Sequence, residues 1–456
     1  MTLWTSAEIA AATGGTASAE FAADGVTFDS REVGPGDLFV ALKGETSDGH
    51  RYLDQSSERG AAGAVVSVPI THPHVLVADT MAALNDLGRA ARQRTGAKII
   101  GVTGSVGKTG TKEALFACLD RTDPGRAHRS VRSYNNHTGV PLSLARMPAD
   151  TRFGVFEMGM NHAGELAALT QLVRPHVALI TTVASVHLEF FADEEAIADA
   201  KAEIFEGLEP AGVAIIPFDN PHRDRLIAKA KHHGARIVTF GIGEGADVRP
   251  VESMRTANGG TFVTARLLER ELSFTIGQPG AHHVSNALAV LAAVEAVGAD
   301  VALAGLALAE LGGLPGRGQR VAVDLPDGTA LILDESYNAN PTSMRATLAV
   351  LGEETATRKL AVLGAMGELG VDAPALHTGL AEPILAAGVE RGILVGEAMR
   401  PLAKALEGRA DFVHVPDAAA ALASLRAMLA PGDAVLVKGS NGVGLASVVA
   451  ALAGTA

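Results

Sequence analysis

The feature that most constrains the fold is a glycine-rich stretch at residues 98–112, which reads KIIGVTGSVGKTGTK. A β-branched run precedes the glycines, and a pattern typical of a helix begins at Lys112. A strand, a glycine-rich loop and a helix in this order can cradle a phosphate, because backbone N–H groups at a helix N-terminus point at a bound anion. In such loops a lysine, here Lys108, reaches the terminal phosphates, and a hydroxyl, here that of Thr109, holds Mg²⁺. We therefore expect chemistry at a nucleotide phosphate.

The loop departs from the strict P-loop pattern, which has a glycine where this chain has Val102. The alternative is an ordinary tight turn between a strand and a helix, with Lys108 as a surface lysine. We favour the phosphate loop, because the strand before it and the helix after it are the context that the motif requires.

Length and composition limit the class of protein. A chain of 456 residues with 47% hydrophobic and 20% charged residues suggests about three globular domains. The net charge of -13 and the lack of a dense Lys/Arg run argue against a nucleic-acid partner. The single cysteine, Cys118, cannot form a disulfide within the chain, which favours a reducing compartment. Neither a signal peptide nor a membrane span is evident, so we expect a cytoplasmic protein.

The order of the predicted elements divides the chain into three α/β domains. Residues 1–96 are predicted to form a small N-terminal domain, and residues 97–313 a central phosphate-loop domain with a doubly wound, mostly parallel sheet. A hairpin at residues 261–276 extends that sheet. After the glycine-rich linker at residues 312–316, residues 314–456 predict a smaller Rossmann-like domain. Because ligands bind at the carboxyl ends of such strands, we expect an active site in a cleft that closes.

Five polar clusters lie at predicted strand ends or helix starts. They are residues 133–141, 157–162, 186–189, 200–205 and 334–341. Glu157 could hold Mg²⁺, but a helix cap or a solvated turn explains it about as well. His187 could bind metal, although a lone histidine at a strand end is more often a surface group. Lys201 by itself is typical of a solvated lysine on an amphipathic helix.

The two remaining clusters are rich in amides. Asn135 and Asn136 precede a Gly-x-Pro sequence, which indicates either a ligand-binding loop or a simple turn. At residues 334–341, a turn before a helix accounts for Asn340 but leaves Tyr337 and Asn338 unexplained. The motifs of serine hydrolases and zinc enzymes are missing from the sequence, so those classes lack support.

Together these residues resemble the ATP-dependent Mur ligases of bacterial cell-wall synthesis over nearly the whole chain. Residues 29–31, 35–41 and 48–50 resemble the N-terminal domain of the family's two later ligases. Residues 103–109 resemble the family's phosphate loop, which has the same departure at the first glycine. The motifs at 135–141, 157–161, 336–341 and 366–370 resemble the last member, which joins D-alanyl-D-alanine to UDP-N-acetylmuramoyl-tripeptide.

The resemblance implies a role for each candidate site residue. ATP would be bound by Gly104, Ser105, Val106, Gly107, Lys108, Thr109, Gly110, Asn286, Arg317, Tyr337 and Asn340. Two Mg²⁺ ions would be held by Thr109, Glu157, His187 and Lys201, the last as a carbamate. The muramoyl-peptide and the dipeptide would contact Ser30, Arg31, Lys43, Asn135, Asn136 and Asn338. Lys108, His187 and Lys201 are the catalytic candidates.

Two positions depart from the family pattern. The adenine motif usually reads His-Asn and then Asn, whereas this chain has His282, His283 and then Asn286. Ala365 stands where an acidic residue is common.

The reaction implied has two steps and proceeds in a monomer. The peptide carboxylate takes the γ-phosphate of ATP to give an acyl phosphate, and the dipeptide amine then displaces phosphate. Two alternatives stay open at this point. One is another ligase of the superfamily, either the preceding muramoyl-peptide ligase or a folylpolyglutamate synthetase. The other is a P-loop switch that hydrolyses ATP without ligating anything.

Overall fold

The computed structural model describes residues 2–44, 47–185, 189–257 and 259–454. The main sheets of this part of the chain lie in three successive segments, as the pattern of predicted elements indicated. None of its helices is long and apolar enough to cross a lipid bilayer.

The first segment contains a mixed sheet in which five described strands lie in the order β2-β7-β6-β5-β4, and a small β1-β3 pair. Its elements are β1 (Trp4–Thr5), α1 (Ser6–Thr13), β2 (Thr16–Ala17), β3 (Ala22–Ala23), β4 (Gly25–Thr27), β5 (Asp37–Val40), a 3-10 helix (Gly49–Tyr52), α2 (Leu53–Glu58), β6 (Gly63–Val66), β7 (His74–Leu76) and α3 (Thr80–Gln93). The Asp79 side chain accepts a hydrogen bond from the Ala82 N–H and caps α3.

The second segment forms a sheet whose nine described strands lie in the order β16-β15-β14-β13-β12-β11-β8-β10-β9. Its elements are β8 (Lys98–Thr103), α4 (Lys108–Thr122), β9 (Ala127–Arg129), α5 (Gly139–Ala145), β10 (Phe153–Glu157), α6 (Glu165–Val173), β11 (Val177–Ile180), α7 (Glu194–Ala202), a 3-10 helix (Glu203–Gly207), β12 (Val213–Pro217), α8 (Arg223–His232), β13 (Arg236–Phe240), β14 (Val248–Arg255), β15 (Thr261–Leu267), β16 (Arg270–Ile276), α9 (Ala281–Ala296) and α10 (Val301–Glu310).

The glycine-rich stretch lies at the centre of this sheet. Strand β8 is flanked by β10 and β11, and both run parallel to it. Helix α4 begins at Lys108, four residues earlier than predicted, so Lys108 and Thr109 are its first two residues. The predicted hairpin is present as β15 and β16, but β14 adds a third antiparallel strand that the sequence did not indicate. Strand β11 ends at Ile180, so Thr181 and Thr182 follow it in the loop beside the glycine-rich stretch.

The first and second segments share a hydrophobic core. Leu142 and Ala145 of α5 pack in one cluster with Trp4 and with Leu84 and Leu87 of α3. The Trp4 indole N–H also donates a hydrogen bond of 2.8 Å to the Ala145 carbonyl. The N-terminal sheet is therefore anchored to the helix that follows the amide-rich loop at residues 133–138.

The third segment has a sheet whose six described strands lie in the order β17-β18-β22-β19-β20-β21, with only β17 antiparallel. Its elements are β17 (Gln319–Leu325), β18 (Gly328–Glu335), α11 (Pro341–Glu353), β19 (Arg358–Gly364), a 3-10 helix (Gly370–Asp372), α12 (Ala373–Thr378), α13 (Ala381–Ala386), β20 (Arg391–Val395), a 3-10 helix (Glu397–Met399), α14 (Arg400–Leu406), β21 (Asp411–Val415), α15 (Ala418–Met428), β22 (Asp433–Lys438), a 3-10 helix (Asn441–Val443) and α16 (Ala446–Leu452).

The last strand of the third segment, β22, lies between β18 and β19. The chain therefore crosses over the position of β22 when it passes from β18 to β19. In an open α/β sheet the crevice at such a point, outside the carboxyl ends of the strands, is where ligands bind.

Candidate active site

A cavity of about 820 Å³ is lined by strand ends and loops of the second and third segments. We call its lining residues between 105 and 311 the central wall and those between 312 and 442 the C-terminal wall. Fourteen of the predicted site residues line it, and they are Ser105, Val106, Gly107, Lys108, Thr109, Gly110, Asn135, Glu157, Lys201, Asn286, Arg317, Tyr337, Asn338 and Asn340. The sequence therefore predicted a set of residues that the fold does bring together.

The glycine-rich loop is held in a conformation that suits an anion. Gly107 has a φ of 87° and caps α4, and no side chain bonds to the N–H groups of the first turn. A Cβ at Gly107 would come within 3.2 Å of the Asn286 side-chain oxygen, so only glycine fits without a shift. The Thr181 hydroxyl donates a hydrogen bond of 2.5 Å to the Val106 carbonyl and fixes the loop from the neighbouring strand end. The residues that begin the helix line the cavity, so their N–H groups are available to an anion there.

The Lys108 side chain bonds to its own loop. Its Nζ donates a hydrogen bond of 2.6 Å to the Gly104 carbonyl. Burial lowers the pKa of Lys108, while the carboxylate of Glu157 acts in the opposite direction. A phosphate in the cavity would replace the carbonyl with a charged partner.

Glu157 is the centre of a buried network at the end of β10. Its side chain accepts hydrogen bonds of 2.9 Å from the Thr109 hydroxyl and 2.8 Å from the Asn135 amide. Its backbone N–H donates to the Ser130 hydroxyl. The residue is only 1% exposed. The sequence left open whether Glu157 is a metal ligand or a helix cap or solvated turn residue. The structure disfavours the second interpretation, because the side chain caps no helix and meets little solvent.

Lys201, on α7, is buried rather than solvated, contrary to what its position on an amphipathic helix indicates by itself. The side chain is 2% exposed. Within the described ranges no hydrogen bond or ion pair involves its Nζ. Burial, and next the charge of Lys108, lowers the pKa of Lys201 well below its usual value. The site therefore favours the neutral amine over the ammonium.

The C-terminal wall presents Arg317 to the central wall. Its guanidinium lies 3.9 Å from the centre of the Tyr337 ring, and its Nη2 donates to the Ser133 hydroxyl at 3.4 Å. The linker that carries Arg317 is fixed by Asp334, whose side chain accepts hydrogen bonds from the Gly316 N–H and from the Ser336 hydroxyl. The linker and the end of β18 thus form one hydrogen-bonded unit at the cavity.

The two histidines of the altered adenine motif also line the cavity. The rings of His282 and His283 lie 4.0 Å apart at the start of α9. Burial lowers the pKa of His282 to about 4 and that of His283 well below its usual value. Both rings are therefore neutral at pH 7.

Some predicted site residues lie elsewhere. Gly104 and Asn136 do not line the cavity, and neither do Ser30, Arg31 and Lys43 of the first segment. His187 lies outside the described residues.

The first segment nevertheless contacts the amide-rich loop. The Arg132 guanidinium pairs with Glu32 at 2.6 Å, and the rings of Phe28 and Tyr134 lie 5.9 Å apart. Arg31, near this contact, pairs with Asp29 at 2.7 Å. The first segment therefore lies against the loop that carries Asn135, a residue that lines the cavity.

Sequence reasoning missed a buried ion pair on the C-terminal wall. The Lys438 Nζ lies 3.5 Å from Glu335 Oε2, and both residues line the cavity. Lys438 ends a strand whose six residues are all buried. A lysine at the end of an apolar run was a usable signal, because an amine is rarely buried without a partner or a function.

Comparison with known proteins covers all three segments. The profile of the Mur ligase family, catalytic domain, matches residues 23–95, that of the Mur ligase middle domain residues 102–294, and that of the Mur ligase, glutamate ligase domain, residues 316–441. The chain is 35% identical over 438 residues to the UDP-N-acetylmuramoyl-tripeptide–D-alanyl-D-alanine ligase of Escherichia coli, with 95% of this chain and 94% of that protein covered. The chain belongs to the Mur ligase family.

Other Mur ligases are similar over comparable lengths. The Bacillus subtilis ligase of the same name is 34% identical, with 93% of this chain and 92% of that protein covered. The crystal structure of MurF from Acinetobacter baumannii has a TM-score of 0.85 at 30% identity and covers 99% of both chains. That of the Thermotoga maritima MurF ligase in complex with ADP has a TM-score of 0.77 at 26% identity, covering 94% of this chain and 97% of that one. The predicted family, the α/β fold and the class of enzyme are confirmed.

Proposed function

We propose that this Mur ligase joins D-alanyl-D-alanine to UDP-N-acetylmuramoyl-tripeptide at the expense of ATP, in the synthesis of the peptidoglycan precursor. The observation that carries the proposal is similarity over nearly the full length to ligases of that name. The cavity supports it, because a phosphate loop and an amide-rich loop face one space that the third segment helps to enclose.

ATP is the proposed nucleotide. The similar ligase from Thermotoga maritima was solved in complex with ADP. In this chain the N–H groups at the start of α4 and the Lys108 ammonium would bind the phosphates, and Asn286 lies beside Gly107 where the nucleotide would pass. Arg317, Tyr337 and Asn340 would contact the nucleotide from the C-terminal wall.

The residues on the central wall fit Mg²⁺. The Thr109 hydroxyl and the Glu157 carboxylate are hard oxygen ligands 2.9 Å apart. Within the described ranges no group of three His, Cys, Asp or Glu side chains could hold a metal ion. The ion would therefore take its other ligands from phosphates and water, which is how Mg²⁺ is usually bound beside nucleotides. When bound, it supplies positive charge against the phosphate oxygens.

Lys201 is the proposed site of carbamylation. A carbamate forms only from an unprotonated amine, and the burial of Lys201 favours that form. The product is a carboxylate-like group suited to Mg²⁺, which a bare ammonium is not. The proposed roles of His187 and of a second Mg²⁺ stay predictions, because His187 is outside the described residues.

The residues of the cavity would act in both chemical steps. Lys108 and Arg317 offset the repulsion between the peptide carboxylate and the γ-phosphate, and they stabilise the charge that develops during transfer. Asn135 and Asn136 would contact the muramoyl-peptide, while Ser30, Arg31 and Lys43 would lie near its uridine diphosphate. Closure of the C-terminal wall would exclude water, which would otherwise hydrolyse the acyl phosphate before the dipeptide amine attacks.

Phosphate release tests the proposal. With ATP and Mg²⁺ present, rapid release should require both UDP-N-acetylmuramoyl-tripeptide and D-alanyl-D-alanine, and mass spectrometry should show the pentapeptide product. Release without either substrate would indicate a hydrolysing switch instead. Release with the UDP-muramoyl-dipeptide and a third amino acid would indicate the preceding ligase. The monomeric state, the cytoplasmic location and the boundaries after residues 96 and 313 stay predictions.

A further inference from the structure

Four lysine or arginine side chains line the cavity within the described ranges: Lys108, Lys201, Arg317 and Lys438. The proposed function uses the first three for ATP, its metal ion and the transferred phosphoryl group. Lys438 has no part in those steps. A buried cation that reaches a substrate cavity without an assigned anion suggests a further binding contact.

Lys438 stands at the ligand-binding edge of the C-terminal sheet. It is the last residue of β22, and its register partners are Glu335 at the end of β18 and Leu363 in β19. These are the strands between which the order of the sheet places a ligand crevice. The crevice is well formed, because the Ser440 hydroxyl accepts a hydrogen bond of 2.7 Å from the Gly367 N–H and ties the two flanking loops together.

The Lys438 ammonium has one donor to spare. An ammonium group has three N–H donors. One bonds to the Asn338 carbonyl at 2.9 Å, and Glu335 Oε2 lies at 3.5 Å from the nitrogen. Within the described ranges no third acceptor is bonded to it. The side chain is 2% exposed, so bulk water is a poor substitute for that acceptor.

The missing acceptor matches one end of the incoming dipeptide. In the ligation the dipeptide reacts through its amine, and its carboxylate remains unchanged in the product. That carboxylate must lose its water when the cavity closes, which is costly unless a cation or hydrogen-bond donor replaces the water. Lys108, Lys201 and Arg317 would be occupied by the phosphates and the metal ion. Lys438 is the cation that remains.

We propose that the Lys438 ammonium binds the C-terminal carboxylate of the incoming dipeptide. The inference rests on the proposed function and names the group that recognises its second substrate. The Glu335 carboxylate favours the charged form of the buried amine, and the bond to Asn338 orients it. This places the dipeptide on the C-terminal wall, with its amine directed toward the acyl phosphate on the central wall.

The test removes, in turn, the positive charge of Lys438 and the negative charge of the dipeptide carboxylate. The substrates are D-alanyl-D-alanine and its C-terminal amide, and the enzymes are the wild type, Lys438→Met, Lys438→Arg and the control Lys404→Met, which changes an exposed lysine on α14. The wild type and Lys404→Met should prefer the acid over the amide by about 10- to 100-fold in kcat/KM. Lys438→Met should lose that preference because its kcat/KM for the acid falls, and Lys438→Arg should keep part of the preference.

The wild type alone can overturn the inference, because equal use of acid and amide would show that no cation reads the carboxylate. An equal loss on both substrates in Lys438→Met, with ATP still binding, would show that Lys438 only supports the loop, and would also overturn it. If Lys438→Met fails to bind ATP and is misfolded, Lys438→Arg is compared with the wild type instead. An unchanged preference for the acid over the amide in Lys438→Arg would then overturn the inference. A wild type that ligates neither substrate refutes the proposed function itself, which is a separate result.

Discussion

Lys201 on the central wall and Lys438 on the C-terminal wall are equally buried, each 2% exposed, yet their surroundings differ. The Lys201 Nζ has no hydrogen bond or ion pair within the described ranges, and its strongest electrostatic neighbour is another cation, Lys108. Lys438 bonds to the Asn338 carbonyl and lies beside the Glu335 carboxylate. Burial lowers the pKa of both amines, but at Lys438 the charge of Glu335 opposes the effect.

The difference shows how one side-chain type can supply opposite chemistry in one cavity. A buried amine without an anion becomes neutral and can act as a nucleophile toward CO₂, which turns it into an anionic metal ligand. A buried amine beside a carboxylate retains its charge and can bind an anion. In the proposed function, carbamylation of Lys201 would give the central wall negative charge for metal ions, and Lys438 would offer positive charge to a substrate on the C-terminal wall.

The largest effect is expected at the phosphate loop of the central wall. Lys108→Ala should lower kcat/KM by about 10²- to 10³-fold, because it removes a positive charge that the transition state of phosphoryl transfer needs. The loss should already appear in the first step, measured as ADP formation from ATP and UDP-N-acetylmuramoyl-tripeptide without dipeptide. Lys438→Met should leave that first step within about threefold of the wild type. Near-normal turnover of Lys108→Ala would refute the phosphate-loop assignment.

The second largest effect separates the two buried lysines directly. Lys201→Ala should be nearly inactive, and millimolar acetate or formate should restore part of its activity, because a small carboxylate can replace the carbamate beside the metal ion. The same acids should not restore Lys438→Ala, which lacks a cation and not an anion. The measurement is the rate of phosphate release against acid concentration in both variants. Restoration of both, or of neither, would contradict the assigned difference.

The sequence predicted the central wall of the cavity better than the C-terminal wall. The phosphate loop of the central wall could be predicted from the sequence, because its strand, loop and helix are contiguous within residues 98–112. Even there the start of α4 was placed at Lys112, because Thr109 and Gly110 are weak helix formers and the left-handed backbone of Gly107 is not visible in a sequence pattern. The burial of Lys201 was also missed, since it depends on what α7 packs against.

The C-terminal wall was harder to predict, because its site depends on the order of the strands. Lys438 meets Glu335 only because β22 inserts between β18 and β19, although β22 follows β18 by about 100 residues in the chain. The edge strands β17 and β21 were not predicted at all, since they are half exposed and lack a continuous apolar run. The family resemblance identified Tyr337, Asn338 and Asn340, but it did not extend to Lys438.

A smaller effect is expected at the metal ligands of the central wall. Glu157→Gln keeps the size of the side chain but removes the charge, so the Mg²⁺ concentration that gives half-maximal activity should rise by about tenfold or more. The control Glu252→Gln changes an exposed carboxylate on β14 and should leave the Mg²⁺ dependence unchanged. Titration of phosphate release with Mg²⁺ measures both. An unchanged dependence in Glu157→Gln would place the metal ion elsewhere.

The smallest effect extends the comparison to a partly buried base away from the cavity. His128 Nε2 donates to the Ser143 carbonyl at 2.8 Å, no carboxylate pairs with the ring within the described ranges, and burial lowers the pKa to about 4. The unfolded chain binds this proton near pH 6.5 and the folded chain only near pH 4, so acid should reduce stability between those values. His128→Gln should therefore show a shallower fall of the unfolding free energy with pH, by up to about 1 kcal/mol per pH unit. The thermal midpoints of both proteins at pH 7, 6 and 5 measure this, with the exposed His232→Gln as control. A slope identical to that of the wild type would mean that burial without an anion does not hold this base neutral, and it would weaken the same argument for Lys201.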